Sequence, residues 1–561
     1  LSIGSVSGRT IHADGTVIPL NVKPEELTLE KTGKSRIEQK VFTLPSVEVG
    51  SVLEYTFQLR DSLQFYWHST PEWEVQKRYP VRKAHFLFTP SDLFNLVWWP
   101  KLPQGASVKT DAAGRYYLDL TDIPAVPDEQ WMPPVESLLY RVWFYYRRPS
   151  DPLDVDDYWK SEAKLWSKDI DHFAEPTKTI RDAVAGLVAP SDSELVKAQK
   201  LYAAVQALDN TDYSRQKTES ERRELKLKQE TRAEDVWTQK SGDRNEIARL
   251  YLAMLRAAGL TAYAMQVVNR DRGTFDPSYM TTQQLDDDVV ILNTGGKETV
   301  LDPGEKMCPF GTVSWRHSGA EGLRQSADGP GRAESPAQVF GLNAIKRSGE
   351  LTVDAAGSVS GTLQIMMTGQ DALLWRQRAI EADVPELKRR FDREELEKIV
   401  PEGVEAHVDH FLGLDEPDRV LMAVVQVKGT LGTATTKRLI LPGFFFETRG
   451  GEPFVSEEKR LEPVDLEFAH QVTDQVTYDL PAGASVEGAP PDAKVSWEGH
   501  AVYIVKTKPA PGQITVARVL ADAFTIAKPE EYQDLRGFYQ KVAAADQGQL
   551  VLTVSAAAKG N

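Results

Sequence analysis

Residues 240–260 read KSGDRNEIARLYLAMLRAAGL. A short glycine turn leads into one amphipathic helix. Asp243 is a good N-cap, and Glu246 three residues on completes a capping-box pattern. Ile247, Leu250, Tyr251, Met254, Leu255 and Ala258 recur at helical spacing and define one buried face. Gly259 stops the helix from the C′ position. The next run, TAYAMQVVN (261–269), is apolar and partly β-branched, which predicts a strand behind the helix. The free N–H groups and dipole at the start of such a helix favour an anion, including a thiolate, so chemistry is sought there first.

Upstream, residues 1 to about 150 alternate as strands do, in runs such as SVLEYTFQLR (51–60) and YRVWFYYRR (140–148), with turn signals at HADGT, VEVGS and DAAGR. Eight of the twelve tryptophans (Trp67, Trp73, Trp98, Trp99, Trp131, Trp143, Trp159 and Trp166) fall in the first 166 residues, a density that asks for a reason. Alternation favours a sandwich core, and the competing reading is a carbohydrate or peptide platform. SDPLDVDDY (150–158) reads as a linker, and a helical pattern follows to about residue 210. SRQKTESERRELKLKQE (214–230) mixes charges as a solvated helix face or loop does, the alternative being a partner-binding arm. RQSADGPGRAESPAQ (324–338) reads as a second linker, and from about 339 the chain is again mainly β, with a helical insertion at 371–400.

The helix with its GD start and AAGL end, the strand-like QLDDDVVIL (284–292) and the turn VLDPG (300–304) together resemble the transglutaminase-like superfamily. The resemblance implies a papain-like core with a cysteine opening the helix, a histidine at the start of the strand and an aspartate in the D-P turn. On that frame Arg244 stands at the cysteine's place, Asp288 at the histidine's and Asp302 at the aspartate's. LPSVEVGSVLEY (44–55) resembles the β-sandwich domain of unknown function that precedes such cores in many bacterial exported proteins. That implies a periplasmic or secreted setting, and shortened first strands imply a trimmed start. The expected architecture is therefore multidomain α+β: an N-terminal β-sandwich at 1–150, a transglutaminase-like core at 155–330 and C-terminal β domains at 339–561.

Composition narrows the function. The 561 residues are 41% hydrophobic and 26% charged, ordinary for a soluble chain, and 66 Lys+Arg against 82 Asp+Glu leave a net charge of −16. Nucleic acid and anionic lipid are poor partners for it. No apolar run reaches the roughly 18 residues that cross a bilayer. Cys308 is the single cysteine, so neither an internal disulfide nor a cysteine cluster is available.

Nucleophilic catalysis needs a thiolate, an imidazole and an orienting group. The guanidinium of Arg244 cannot be the nucleophile. No histidine lies between His172 and His317, where the resemblance implies the imidazole. Cys308 with His317 and Asp302 is the alternative triad, but Cys308 precedes Pro309 in a loop and reads as an inert small hydrophobe. Asp286, Asp287, Asp288 and Asp302 offer carboxylates for a hard cation, and Glu405, His407 and Asp409 share a strand face by alternation. Neither group carries a recognisable ligand pattern, and no cofactor is expected. The reading is a non-catalytic transglutaminase-like protein that binds or scaffolds, with a protein, peptide or glycan as ligand. The alternative is an enzyme acting on peptide or amide bonds through non-standard residues. In the vacated triad, Arg244 is expected to form a salt bridge to Asp302 or Asp288.

Overall fold

The computed structural model describes residues 2–32, 35–60, 71–91, 95–215, 217–225, 227–228, 230–446 and 453–554. Trp67 lies outside them.

The N-terminal part is β-rich and its pairings are antiparallel. One sheet pairs Val81–Phe88, Tyr116–Ile123 and Lys109–Thr110, and another pairs Glu72–Glu74, Arg141–Arg147 and Asn95–Lys101. The two pack across a core of Trp73, Val75, Leu118, Ile123, Val142 and Phe144, with Trp98 against it. Trp73 meets Phe144 edge-on at 4.7 Å. Two of the tryptophans are thus sandwich core, as alternation predicts. Trp99 and Trp143, by contrast, are cross-strand partners turned to the other face.

Helix Val155–Phe173 begins inside the stretch that reads as a linker, because the Asp154 side chain accepts the N–H groups of Asp156 and Asp157. Its Trp159 is buried and donates to Pro277 O at 2.8 Å. Helices Lys178–Leu187, Glu194–Gln206 and Ala233–Gln239 complete the lead-in. The charged run carries a short helix, Glu219–Glu224, with Thr218 capping it; residues 216, 226 and 229 lie outside the described ones.

The central helix spans Arg244–Ala257, and the Asp243–Glu246 capping box forms reciprocally at 2.8 Å in each direction. Ile247, Ala248 and every residue from Leu250 to Leu255 are buried, so the helix is wrapped rather than half-exposed. Each large apolar side chain so buried contributes about 1.5–3 kcal/mol. Gly259 takes φ +77° and lets Leu260 N–H reach back to Leu255 O. Behind the helix lies a five-stranded antiparallel sheet in the order Lys297–Leu301, Asp287–Thr294, Thr261–Val267, Glu321–Arg324, Gly331–Glu334.

The last two of those strands lie in or beside the stretch that reads as a second linker. Gly and Ser there mark a hairpin turn, closed by Gly329 N–H to Ser326 O at 3.1 Å, and composition alone hides the strands it joins. Further on, an eight-stranded sheet runs from Val404–Leu412 at one edge to Ala493–Trp497 at the other. The expected helical insertion is present as Gly369–Glu381, Val384–Phe391 and Glu397–Ile399, joined by a π-turn at Asp392–Leu396. Helix Tyr532–Asp546 is an addition to the expected plan, although Tyr532, Leu535, Phe538, Tyr539 and Val542 carry its period. Among the described residues no helix is long and apolar enough to cross a membrane.

Candidate functional site

The start of the central helix meets the start of strand Asp287–Thr294 and the turn 302–305. Six hydrogen bonds fix that junction. Asn245 Nδ2 donates to Asp286 O at 2.9 Å, and Asp288 N–H donates to Asn245 Oδ1 at 2.8 Å. Gln206 Nε2 donates to Pro303 O and Glu305 O, Asn210 Nδ2 to Gly304 O, and Tyr202 OH to Asp302 O. Gly304 lies directly on the Arg244 backbone, since a Cβ built there would be 2.3 Å from Arg244 O. Gly304→Ala must therefore prise the turn off the helix. Thermal melting is expected to show a loss of about 1–3 kcal/mol, and an unchanged melting temperature would contradict this close approach.

Charges fill the junction. Arg244 Nε donates to Asp212 Oδ2 at 2.9 Å, Nη1 to Asp287 Oδ2 at 3.4 Å, and Nη1 lies 3.8 Å from Glu305 Oε2. Asp287 Oδ2 also accepts from Asn269 Nδ2 at 2.8 Å and from His317 Nε2 at 2.9 Å. The other ring nitrogen of His317 donates to Asp302 Oδ2 at 2.8 Å, which accepts Ser314 N–H as well. His317, Asp287, Asp302 and Glu305 are all buried. Burial opposes charge on His317, but Asp302 and Asp287, with Glu305 beyond, outweigh it and hold the imidazole pKa up to about 10. Burial likewise raises Asp287, but the His317 hydrogen bond and the charges of His317 and Arg244 outweigh it and bring its pKa down to about 2. His317 is thus an imidazolium clamped between two carboxylates, with both nitrogens committed.

The expected pairing of Arg244 with Asp288 or Asp302 is corrected by one residue. Neighbours on a strand point to opposite faces. Asp287 therefore faces Arg244 and His317, while Asp288 turns to Arg249 in the second helical turn, 2.6 Å from its Nε. Asp302 is taken by His317. The alternative triad comes apart in the same way. His317 and Asp302 do meet, but the Cys308 Sγ lies against Thr312, 3.5 Å from Oγ1 and 3.7 Å from O. Burial, and the charge of Asp302 after it, push that thiol well above its ordinary pKa.

Sequence reasoning missed Asp212, Asn269 and Glu305. The DNTDY stretch (209–213) carried a weak signal as an Asx-type turn ahead of the helix. Of the cation candidates, Glu405 pairs with Lys428, His407 with Asp392 and Asp409 with His410. A register shift between Val408 and His410 breaks their shared face. Among the described residues no group of three His, Cys, Asp or Glu is placed to hold a metal ion.

A helix opening onto a β-strand and a D-P turn, backed by an antiparallel sheet, is the arrangement of a transglutaminase-like core. Residues 181–288 match the transglutaminase-like superfamily, residues 2–127 match the domain of unknown function DUF3857, and residues 437–552 match the domain of unknown function DUF3858. The chain is therefore a transglutaminase-like core flanked by DUF3857 on its N-terminal side and DUF3858 on its C-terminal side. A crystal structure described as a candidate protease from Parabacteroides distasonis is 14% identical and superposes with a TM-score of 0.56, covering 98% of this chain and 89% of that one, which shows a shared fold. A candidate cysteine protease from Cytophaga hutchinsonii aligns over 42% of this chain and 74% of its own at 12% identity and a TM-score of 0.18. No curated protein matches the sequence.

Proposed function

We propose that this protein is a non-catalytic transglutaminase-like protein with a binding or scaffolding role in the bacterial cell envelope. The observation that carries the reading is the His317 imidazolium held on both sides by Asp287 and Asp302, with Arg244 at the helix start where the superfamily resemblance implies a thiol. An imidazole with both nitrogens donating has no lone pair to take a proton, and a guanidinium is no nucleophile. The envelope setting rests on the likeness of the N-terminal domain to those of exported proteins, and cell fractionation tests it. The division at 1–150, 155–330 and 339–561 belongs to the same proposal, and limited proteolysis at its junctions is the check.

An enzyme acting on peptide or amide bonds is the competing reading, favoured by the protease description of the Parabacteroides distasonis structure. Turnover separates the two. Incubation with glutamine-containing peptides, with and without an amine, is expected to release neither ammonia nor cleaved peptide. Turnover by the wild type that Asp302→Ala abolishes would reverse the conclusion.

A further inference from the structure

Beside the ion network lies a pocket of about 620 Å³, within the range of small-ligand sites. Its walls come from strands Asn95–Lys101 and Arg141–Arg147, the short helix Val135–Leu138, and the loop that leads from residue 268 into strand Asp287–Thr294. Asp286 lines it, one residue from Asp287.

The register of the two strands sets the chemistry. Lys101 pairs with Arg141, and Trp99 with Trp143, so all four share one face. Two like charges directly opposite on a sheet destabilise it. Glu462 and Asp276 favour the charge on Lys101, but neither bonds its Nζ. Lys101 Nζ donates to a backbone oxygen, Ser137 O, at 2.5 Å, and has no ion pair among the described residues. Arg141 is 7% exposed, yet the one side-chain hydrogen bond it makes among those residues is a long ion pair, 3.3 Å from Nη1 to Glu72 Oε2. Its buried Nε has no partner. A guanidinium so placed is suited to a carboxylate, which takes two parallel N–H groups. Next to this cation pair stand Trp99, Trp143 and Tyr279. The Arg141 guanidinium lies 4.7 Å from the Trp143 ring centre, and the Tyr279 ring stacks on Trp143 at 4.7 Å. Trp99 is pinned by its Nε1 on Ser278 Oγ at 2.6 Å. Glu136 also lines the pocket, and a carboxylate there can accept from N–H groups of a ligand.

We propose that this pocket binds a short peptide through its C-terminal carboxylate, with Lys101 and Arg141 holding the carboxylate and Trp99 packing against the last side chain. The carboxylate resolves the like-charge pair, the rings take a flat or apolar side chain, and the amide N–H groups turn to Glu136. This deepens the proposed binding role and rests on it for its meaning, though not for its geometry.

Calorimetric titration with acetyl-Ala-Phe, with the same dipeptide as its C-terminal amide, and with glucuronate tests the proposal. The free acid is expected to bind, and the amide at least about tenfold more weakly, the equivalent of one lost interaction of 1.4 kcal/mol. Lys101→Gln keeps a donor for Ser137 O and is expected to weaken the acid about tenfold without lowering the melting temperature. It guards against misfolding of an Arg141→Met variant. Equal binding of acid and amide, no binding of either by folded wild type, or an unaffected Lys101→Gln variant would each overturn the proposal. Preference for glucuronate over the peptide would overturn it in favour of an acidic sugar. Chromatography of the titrated probe separates the two readings. A bound and cleaved probe ends the non-catalytic function and keeps the site, whereas an unbound, intact probe ends the site alone.

Discussion

His317→Ala lowers the stability of the core by about 3–5 kcal/mol, the usual consequence of removing one member of a buried ion pair. It leaves Asp287 and Asp302 buried with the central cation gone, and Arg244 reaches Asp287 only at 3.4 Å. For a domain of this size the core melting transition is expected to fall by roughly 10 °C. The effect depends on pH with a definite sign. His317 has its folded pKa raised from 6.5 to about 10. Its stabilisation is fully present below pH 6.5 and is lost as pH rises through about 10. Asp287 has its folded pKa lowered from 3.8 to about 2, so its share is present above 3.8 and lost as pH falls through about 2. The difference in melting temperature between wild type and variant should therefore be largest between about pH 4 and 6.5 and shrink steadily toward pH 10. His317→Gln retains the hydrogen-bonding capacity without the charge and should recover part of the loss. A difference that stays constant from pH 6 to pH 10 would mean that His317 is held neutral.

The frame of this site was legible because it is written in local signals. The Asp243–Glu246 box, the apolar spacing after it and Gly259 all act within one helix, and each forms as its residue type requires. The ion network was only half legible. Three consecutive aspartates give no hint which of them starts the strand, and a shift of one position exchanges the face of every side chain. That is why Asp288 was expected where Asp287 stands. Partners such as Asp212 and His317 come from loops whose approach depends on Gln206, Asn210 and Tyr202 stapling the turn at 302–305, contacts separated by about a hundred residues of chain. The hairpin Glu321–Arg324 with Gly331–Glu334 failed for a different reason, because a Gly-, Ser- and Pro-rich composition marks a turn as readily as a linker.

Arg244 is the residue on which the non-catalytic proposal bears most directly, since it stands at the helix start where the superfamily resemblance implies a thiol. A cation in the first helical turn opposes the helix dipole by about 0.3–1 kcal/mol, so its three carboxylate partners must more than offset that. Arg244→Ala is expected to destabilise by about 2–4 kcal/mol, the loss of a partly buried pair less the relief of the dipole. Arg244→Cys should be no more stable, and it places a thiol at the helix start without making it reactive. The dipole lowers a thiol pKa there. Asp212, Asp287 and Glu305, which surrounded the guanidinium, act in the opposite direction because like charges nearby disfavour the thiolate. His317, already clamped by Asp287 and Asp302, has no nitrogen left to take the proton. In a Cys308→Ala background, iodoacetamide at pH 8 should alkylate the introduced thiol more slowly than free cysteine, and adding Asp287→Asn should speed it up by removing one of those charges. Alkylation faster than free cysteine with Asp287 intact would show that the helix start still activates a thiol, and would count against the non-catalytic proposal.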